Sequence, residues 1–410
     1  MFKKIRNKVN SAISTVRAAV ACKKAEGYVD SGVKILIAVV IGALLLAGLY
    51  VLFNLRQINI FLNSEDLVMD GRIKEKLLKY AFSNRVPLFA TIELTGNCNF
   101  RCLHCYIPED ARNSYMEYDD FKQIVDQLIN RGCLYVTLTG GEVFMHPHFI
   151  DMYLYLIKRG ISVQVFTNGS LISDKLLNLF EKYKPRNIEI TMYGYSECTY
   201  KLVTGVSAFK KTKAAILKLL ERNIHVTLKA FILKENMGDL DELIKLAKSK
   251  KLPFKSSALI IAPKHSSALN HQIPYDMLSS IEQKITYKKQ IDNSWYEWND
   301  LVRRITETSL FNCGAGRISC WIKSDCKLRL CNFLDEVQAD LKTDTFDNCW
   351  NFLRKYIELD FPTQSPCSIC DNRNKCSICP AKAKVLGDDM YMLNPQNYFC
   401  DLTKQLLEER

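Results

Sequence analysis

Between Leu88 and Ala262 short apolar runs alternate with segments whose apolar residues recur every three to four positions. The runs 88–94, 134–139, 162–167, 187–193, 224–233 and 256–262 read as buried strands. Between them, Phe121, Ile124, Val125, Leu128 and Ile129 fall on one helical face, as do Leu176, Leu177 and Phe180. Ala214, Ile216, Leu217 and Leu220 are expected to do the same before the fifth strand. Six strand–helix repeats imply a parallel sheet covered by helices. Functional groups in such a sheet belong at the carboxyl ends of the strands. Ahead of this pattern, Ile35 to Phe53 is an unbroken apolar run of nineteen residues, close to the roughly 20 that span a bilayer as a helix. It is too long and too far from the start for a cleaved signal peptide. It is expected to be a single transmembrane helix. Residues 54–86 are a polar linker with one helical stretch, Ile73 to Ala81.

Charge sharpens the amino-terminal reading. The chain has 410 residues and a net charge of +12, enough length for two domains and an appendage. Residues 1–34 hold eight Lys/Arg against Glu26 and Asp30, a net of +6. Half the excess thus lies beside the apolar run, where a membrane surface is a simpler partner than nucleic acid. No nucleic-acid partner is expected. Glu26 to Phe53 also resembles small membrane proteins of conjugative mobile elements, which implies a segment fused to the rest of the chain. The basic flank favours an amino terminus in the cytoplasm; chemistry of the kind described below would instead keep the carboxyl-terminal part there.

Sixteen cysteines in clustered spacings point to metal sites in a reducing compartment, not to a disulfide scaffold. Cys98-x3-Cys102-x2-Cys105 directly follows the first strand. Three thiolates on one loop suit three corners of an iron–sulfur cube, leaving the fourth iron open. A closed zinc site would want a fourth ligand. After the second strand comes Thr139-Gly140-Gly141-Glu142, where two glycines let backbone approach a ligand closely. The third strand ends in Thr167-Asn168-Gly169, the fourth contains Thr191 and Tyr193, and the fifth carries Lys229. Further on, Cys313, Cys320, Cys326 and Cys331 precede Cys367-x2-Cys370-x5-Cys376-x2-Cys379 and Cys400. Zinc ribbons are the alternative for such pairs.

The three-cysteine loop with its following Tyr106, and the Gly140-Gly141-Glu142 motif, resemble the radical S-adenosylmethionine (SAM) enzymes over roughly Val86 to Leu402. The resemblance implies a partial (β/α)6 barrel over residues 87–265. It places a [4Fe–4S] cluster on Cys98, Cys102 and Cys105, whose open iron chelates SAM; one-electron reduction then releases a 5′-deoxyadenosyl radical. It assigns SAM contacts to Gly140, Gly141, Glu142, Thr167 and Asn168, with Thr191 near the ribose and Lys229 facing the SAM carboxylate. Two departures are visible: His104 stands where an aromatic is usual, and Tyr193 replaces an acid on the fourth strand.

The carboxyl-terminal array is similar to a SPASM domain, expected over 310–405 after a helical bridge at 266–309. That resemblance implies two auxiliary [4Fe–4S] clusters, one on Cys313, Cys320, Cys331 and Cys379, the other on Cys367, Cys370, Cys376 and Cys400. Cys326 occupies a position where glycine is usual, and the last pair is spaced x2 instead of x3. Cys22, Cys133, Cys198 and Cys349 are expected to be ordinary thiols. The family implies an enzyme that modifies a peptide or protein, with a reductant such as flavodoxin or ferredoxin and a separate peptide-delivery protein, because residues 54–86 are too short for a peptide-binding domain. Asn332 after Cys331 disfavours sulfatase maturation, where an aspartate is usual. The alternatives are oxidation or rearrangement of a small metabolite, and a membrane-tethered electron-transfer module.

Overall fold

The computed structural model describes residues 71–408, apart from residues 263–265, 275–276, 279, 282–308, 374, 377, 388 and 396. The apolar run 35–53 and most of the 266–309 bridge therefore lie outside the described residues. Among the described residues no helix is long and apolar enough to cross a membrane.

Helix α1 (Gly71–Ser83) leads into strand β1 (Phe89–Glu93), and the alternation expected from the sequence follows. It runs α2 (Tyr118–Asn130), β2 (Tyr135–Thr139), α3 (Phe149–Lys158), β3 (Ser162–Thr167), α4 (Asp174–Lys182), β4 (Asn187–Thr191), α5 (Glu197–Thr204), α6 (Phe209–Glu221), β5 (Val226–Phe231), α7 (Leu240–Ser249) and β6 (Phe254–Ser257). The six strands pair in parallel in the order β6-β5-β4-β3-β2-β1. Ser173 and Ser196 cap α4 and α5 by accepting from Leu176 N and Thr199 N. Such caps satisfy amide donors that the first helical turn leaves unpaired.

Three expectations shift. The buried face of α6 is Thr212, Ala215, Ile216 and Leu219, whereas Ala214 is exposed. β5 is trimmed at both ends relative to 224–233. β6 begins earlier than expected and stops at Ser257, because Gln272 takes over the chain beyond it. Gln272 Oε1 accepts from Ile260 N (2.7 Å) and its Nε2 donates to Ala258 O (2.9 Å).

A seventh parallel strand was not anticipated. β7 (Ser319–Ile322) pairs with β1 in register Phe89↔Ser319, and β8 (Lys327–Arg329) and β9 (Gln338–Asp340) continue the sheet antiparallel. Helix α8 (Phe346–Ile357) buries Trp350 against this side. Trp350 Nε1 donates to Arg85 O (2.8 Å), while Arg85 donates to Trp350 O (2.6 Å) and Gly316 O (3.2 Å). Two short helices, α9 (Pro380–Val385) and α10 (Asn397–Glu408), complete the described chain.

Candidate active site

Cys98, Cys102 and Cys105 lie on the loop that leaves the carboxyl end of β1, where a parallel sheet presents its functional groups. The loop is fastened on every side. Gly141 N donates to Thr95 O (2.8 Å), Glu142 N to Asn97 O (2.7 Å), and Gly96 N to Ser114 O (2.8 Å). Asn99 Nδ2 donates to Ser170 Oγ (2.8 Å), and Asn168 Nδ2 donates to Asn99 Oδ1 (2.9 Å) and reaches Cys98 Sγ at 4.0 Å. The glycines of the β2 rim serve this fastening. A Cβ at Gly140 (φ 154°) would lie 2.4 Å from Thr95 O, and one at Gly141 would lie 2.3 Å from Asn97 O. They let two protein loops touch backbone to backbone.

Glu142 is fully buried and staples the same rim. It accepts from Thr167 Oγ1 (2.7 Å), Asn168 N (2.7 Å) and Phe144 N (3.3 Å). Burial nevertheless pushes its carboxyl up to about 7, since a low-dielectric site disfavours the charged form. Thus Glu142, Thr167 and Asn168 are brought together at one rim. Thr191 sits at the end of β4, opposite Lys229 on β5.

Burial also pushes the Cys98 thiol up to about 11 and raises Cys102 further, and each is raised by the neighbouring cysteine sulfurs of the loop. Unpaired thiolates are costly there; a cationic partner is what would hold them charged. His104 stacks on Phe231 (centroids 4.8 Å apart, 10° between planes), and burial holds it neutral with its pKa lowered to about 4. Its Nδ1 and Glu235 Oε2 are buried and find no hydrogen-bond partner among the described residues. Glu235 Oε1 meets His271 Nδ1 at 2.5 Å, and both residues act electrostatically on His104. Such orphans are uncommon in folded proteins.

Several polar side chains escaped the sequence reading. Glu93, 1% exposed, accepts from Trp321 Nε1 (2.9 Å) and pairs with Lys323 Nζ (2.8 Å) across the β1–β7 junction, with the Tyr106 hydroxyl at 3.5 Å. Glu189 on β4 is shared by Lys229 (3.3 Å) and Lys255 (3.0 Å). Lys229 is therefore already paired, with its ammonium also 4.9 Å from the Phe166 ring. Tyr193, where the sequence lacks the expected acid, packs against Phe100 and His104.

The carboxyl-terminal cysteines separate into two groups and two outliers. Cys331 is raised to about 12 by burial and then by Cys379 and Cys313. Cys367 is raised by burial and by Cys400, Cys376 and Cys370. A cavity of about 240 Å³ is lined by Cys367, Cys370, Cys376, Cys379 and Cys400. Cys320 does not join Cys313, Cys331 and Cys379 as the family spacing implied. It lies in β7 opposite Ala90 and is buried, and its thiol is raised by that burial and then by Cys133. Alternation along β7 puts it with Ile322 on the core face, away from Trp321. Cys326 is buried beside Asp120 Oδ2 (3.8 Å) and adopts φ 67°, a conformation natural to the glycine usual there.

Residues 92–247 match the family described as the radical SAM superfamily, and residues 9–57 match a family of unknown function, DUF6133. The chain is 28% identical over 191 residues to the antilisterial bacteriocin subtilosin biosynthesis protein AlbA of Bacillus subtilis, covering 45% of this chain and 43% of AlbA. It is 24% identical over 305 residues to the mycofactocin maturase MftC of Mycobacterium tuberculosis, covering 71% and 77% of the two chains. Among solved structures, SuiB of Streptococcus suis bound to S-adenosylmethionine aligns with TM-score 0.60 at 16% identity over 80% of this chain and 81% of that one. At that identity the likeness is one of fold.

Proposed function

Residues 92–247 are a radical SAM domain, and on that premise we propose that the protein reductively cleaves SAM and uses the resulting radical to modify a peptide. The observation that carries this reading is the three-thiol loop of Cys98, Cys102 and Cys105, preorganised at the end of β1 beside two orphaned polar atoms. The donor set fits an iron–sulfur cluster. It is all sulfur and offers three thiols from one loop, as three corners of a cube require; a closed zinc site would want a fourth ligand. Cys98, Cys102 and Cys105 would hold the SAM-binding [4Fe–4S] cluster. When bound, cluster and SAM supply one-electron cleavage of the sulfonium and a carbon-centred radical.

The chain's own residues position and enclose that chemistry. His104, neutral and flat on Phe231, offers a stacking surface, and its Nδ1 with Glu235 Oε2 offers hydrogen bonds that a nucleoside would complete. Glu142 orients Thr167 and Asn168 at the rim. Lys229 can turn to a carboxylate without orphaning Glu189, because Lys255 keeps the second carboxylate oxygen. In a SPASM-type unit over 310–405, Cys367, Cys370, Cys376 and Cys400 would ligate one auxiliary cluster. Cys313, Cys331 and Cys379 would ligate the other. A peptide substrate is supported by the relatives, a bacteriocin biosynthesis protein and a maturase. A one-electron carrier protein is the implied reductant, and a separate delivery protein the implied route for the peptide. The apolar length of 35–53 and the charge of 1–34 support attachment to a membrane; the need for SAM and reductant, against the charge rule, argues for a catalytic unit on the cytoplasmic side.

Anaerobic reconstitution with iron and sulfide tests the reading. About twelve irons, four per cluster, and dithionite-driven release of 5′-deoxyadenosine are expected. Replacing Cys98, Cys102 and Cys105 with alanine should remove about four irons and all SAM cleavage. Tightly bound zinc without visible absorbance, or undiminished cleavage by the triple variant, would refute it. Removing residues 1–60 should move the protein from membranes to the soluble fraction with SAM cleavage intact.

A further inference from the structure

Alternation along the parallel strands gives the sheet two faces. Ile190 of β4 looks toward the helices, since a Cβ at Gly169 would lie 2.9 Å from its Cγ2 and 3.1 Å from Thr212 of α6. Phe231 of β5 lies on the other face, where the His104 ring of the three-cysteine loop stacks on it. Lys229 stands two residues before Phe231 and pairs in register with Thr191 and Lys255, and Thr191 stands two residues after Glu189. Glu189, Lys229 and Lys255 therefore share the face that carries His104. They meet there, with Lys229 Nζ 3.3 Å from Glu189 Oε1 and Lys255 Nζ 3.0 Å from Oε2. The acid is 3% exposed, whereas the two lysine side chains are 42% and 43% exposed.

One lysine would balance Glu189, so the second is surplus. At the foot of the same wall Arg186 Nη2 donates to Gln164 Oε1 (3.0 Å), with its guanidinium 5.1 Å from the centre of the Tyr135 ring. It adds a third cation within electrostatic reach of Glu189. Glu235, the acid beside His104, is met by His271 Nδ1 (2.5 Å). Where the face continues onto β1 and β7, Glu93 and Lys323 pair one to one (2.8 Å). The surplus of positive charge thus belongs to the β4–β6 wall. Lys255 stands on β6, the last strand of the row and the farthest in strand order from the β1 loop.

We propose that Lys255, held in place by Glu189, receives a carboxylate of the peptide substrate, so that the enzyme selects a peptide with an acidic side chain or its own C-terminal carboxylate near the residue to be modified. The inference rests on the radical SAM reading. In that reading Lys229 serves the SAM carboxylate. Glu189 cannot neutralise every cation of the wall, so positive charge remains for a second anion. Glu189, buried between the two lysines, fixes where their ammonium groups sit before any ligand arrives. Bonds from an ammonium to a carboxylate are charge-assisted and strengthen where the pair is partly withdrawn from water. A neutral peptide at this wall would leave the charge uncompensated, and a basic one would be repelled, which gives selection as well as affinity. No bond is made or broken at Lys255; it positions the substrate one strand layer below His104.

Lysine footprinting reads the site without turnover. The reconstituted holoenzyme, with and without saturating SAM, is acetylated by an N-hydroxysuccinimide ester, and modification of Lys255 is followed by mass spectrometry. Three small probes compete: N-acetylglutamate α-amide with a side-chain carboxylate, N-acetylalanine with a terminal one, and N-acetylglutamine α-amide as the neutral control. With SAM present, a carboxylate probe should protect Lys255 at a concentration at least about tenfold below that of the amide. The more effective of the two carboxylates names the source. Saturation-transfer NMR of the same probe should show binding weakened about tenfold or more in Lys255→Gln and restored in Lys255→Arg. If Lys255→Gln does not fold, the footprint of the parent decides. Equal protection by amide and carboxylates would overturn the proposal, as would protection of Lys255 by SAM alone. A parent that gives the expected footprint but no dithionite-driven SAM cleavage would instead overturn the radical SAM reading.

Discussion

The two cysteine regions are built on opposite principles. Around Cys98–Cys105 the protein supplies the scaffold: two glycines admit backbone contact, Asn99 and Asn168 tie the loop to the β3 rim, and Phe100 is buried beneath it. The stretch around Cys367–Cys379 has one short 3-10 turn at Pro366–Ile369, with Ile369 87% exposed and Cys370 exposed. Its thiols surround a cavity instead of a packed core. A site that must leave one iron open has to be preorganised by protein. A site with four thiols for four irons, as Cys367, Cys370, Cys376 and Cys400 would provide, can be organised by the metal, as small metallo-domains are.

Stripping the iron anaerobically with a chelator puts this contrast to its hardest test. Residues 361–400 should lose nearly all amide-exchange protection, while β1 to β5 keep theirs, as read by hydrogen-exchange mass spectrometry. Equal loss in both regions would dissolve the distinction. Next in size is Glu142→Ala, which leaves the Thr167 hydroxyl and Asn168 amide without their acceptor. Chemical denaturation should show a loss of about 3 kcal/mol, together with weaker SAM binding. The same carboxyl sets a pH signature. Its pKa is raised from the usual 4.5 to about 7, so its contribution is complete below the ordinary value and fades as pH rises through 7. Glu142→Gln should flatten stability against pH between these limits.

Smaller effects separate ligands from core thiols. Cys320→Ala should cost about 1 kcal/mol of stability and leave the iron content of the holoenzyme unchanged. Loss of a cluster would return Cys320 to the ligand set. Cys326→Gly should change stability by less than about 1 kcal/mol, because relief of the left-handed backbone offsets the lost packing of the thiol. Its iron count should match the parent.

The legible parts of the molecule were those encoded locally. Each of β1 to β5 is a short apolar run, and the three-cysteine loop and the Gly140-Gly141-Glu142 rim follow their strands directly, so the parallel sheet gathers them at one end. The hidden parts depend on pairings distant in sequence. Nothing in Glu93 alone announces Trp321 and Lys323, and Glu235 meets His271 only because the chain beyond β6 is captured by Gln272. Cys320 shows the limit of cysteine spacing: alternation along β7 turns its thiol into the core with Ile322, which spacing alone does not reveal. The glycines are legible as close-contact positions, while their contact with the neighbouring loop is not. Residues 35–53, outside the described residues, remain a sequence-based proposal.

The pairing of β1 with β7 also sets a schedule for the ribosome. Glu93 and Trp321 are 228 residues apart, about 10–45 s of synthesis at 5–20 residues per second. During that interval β1 has β2 beside it but an unmatched edge on the other side, and Glu93 lacks both its indole donor and its lysine. An open parallel edge is a template for foreign strands. The nascent chain therefore passes through a stage at which its most chemically important strand is its least protected. Fragments ending before Ser319 should aggregate on release, even though they contain the complete three-cysteine motif.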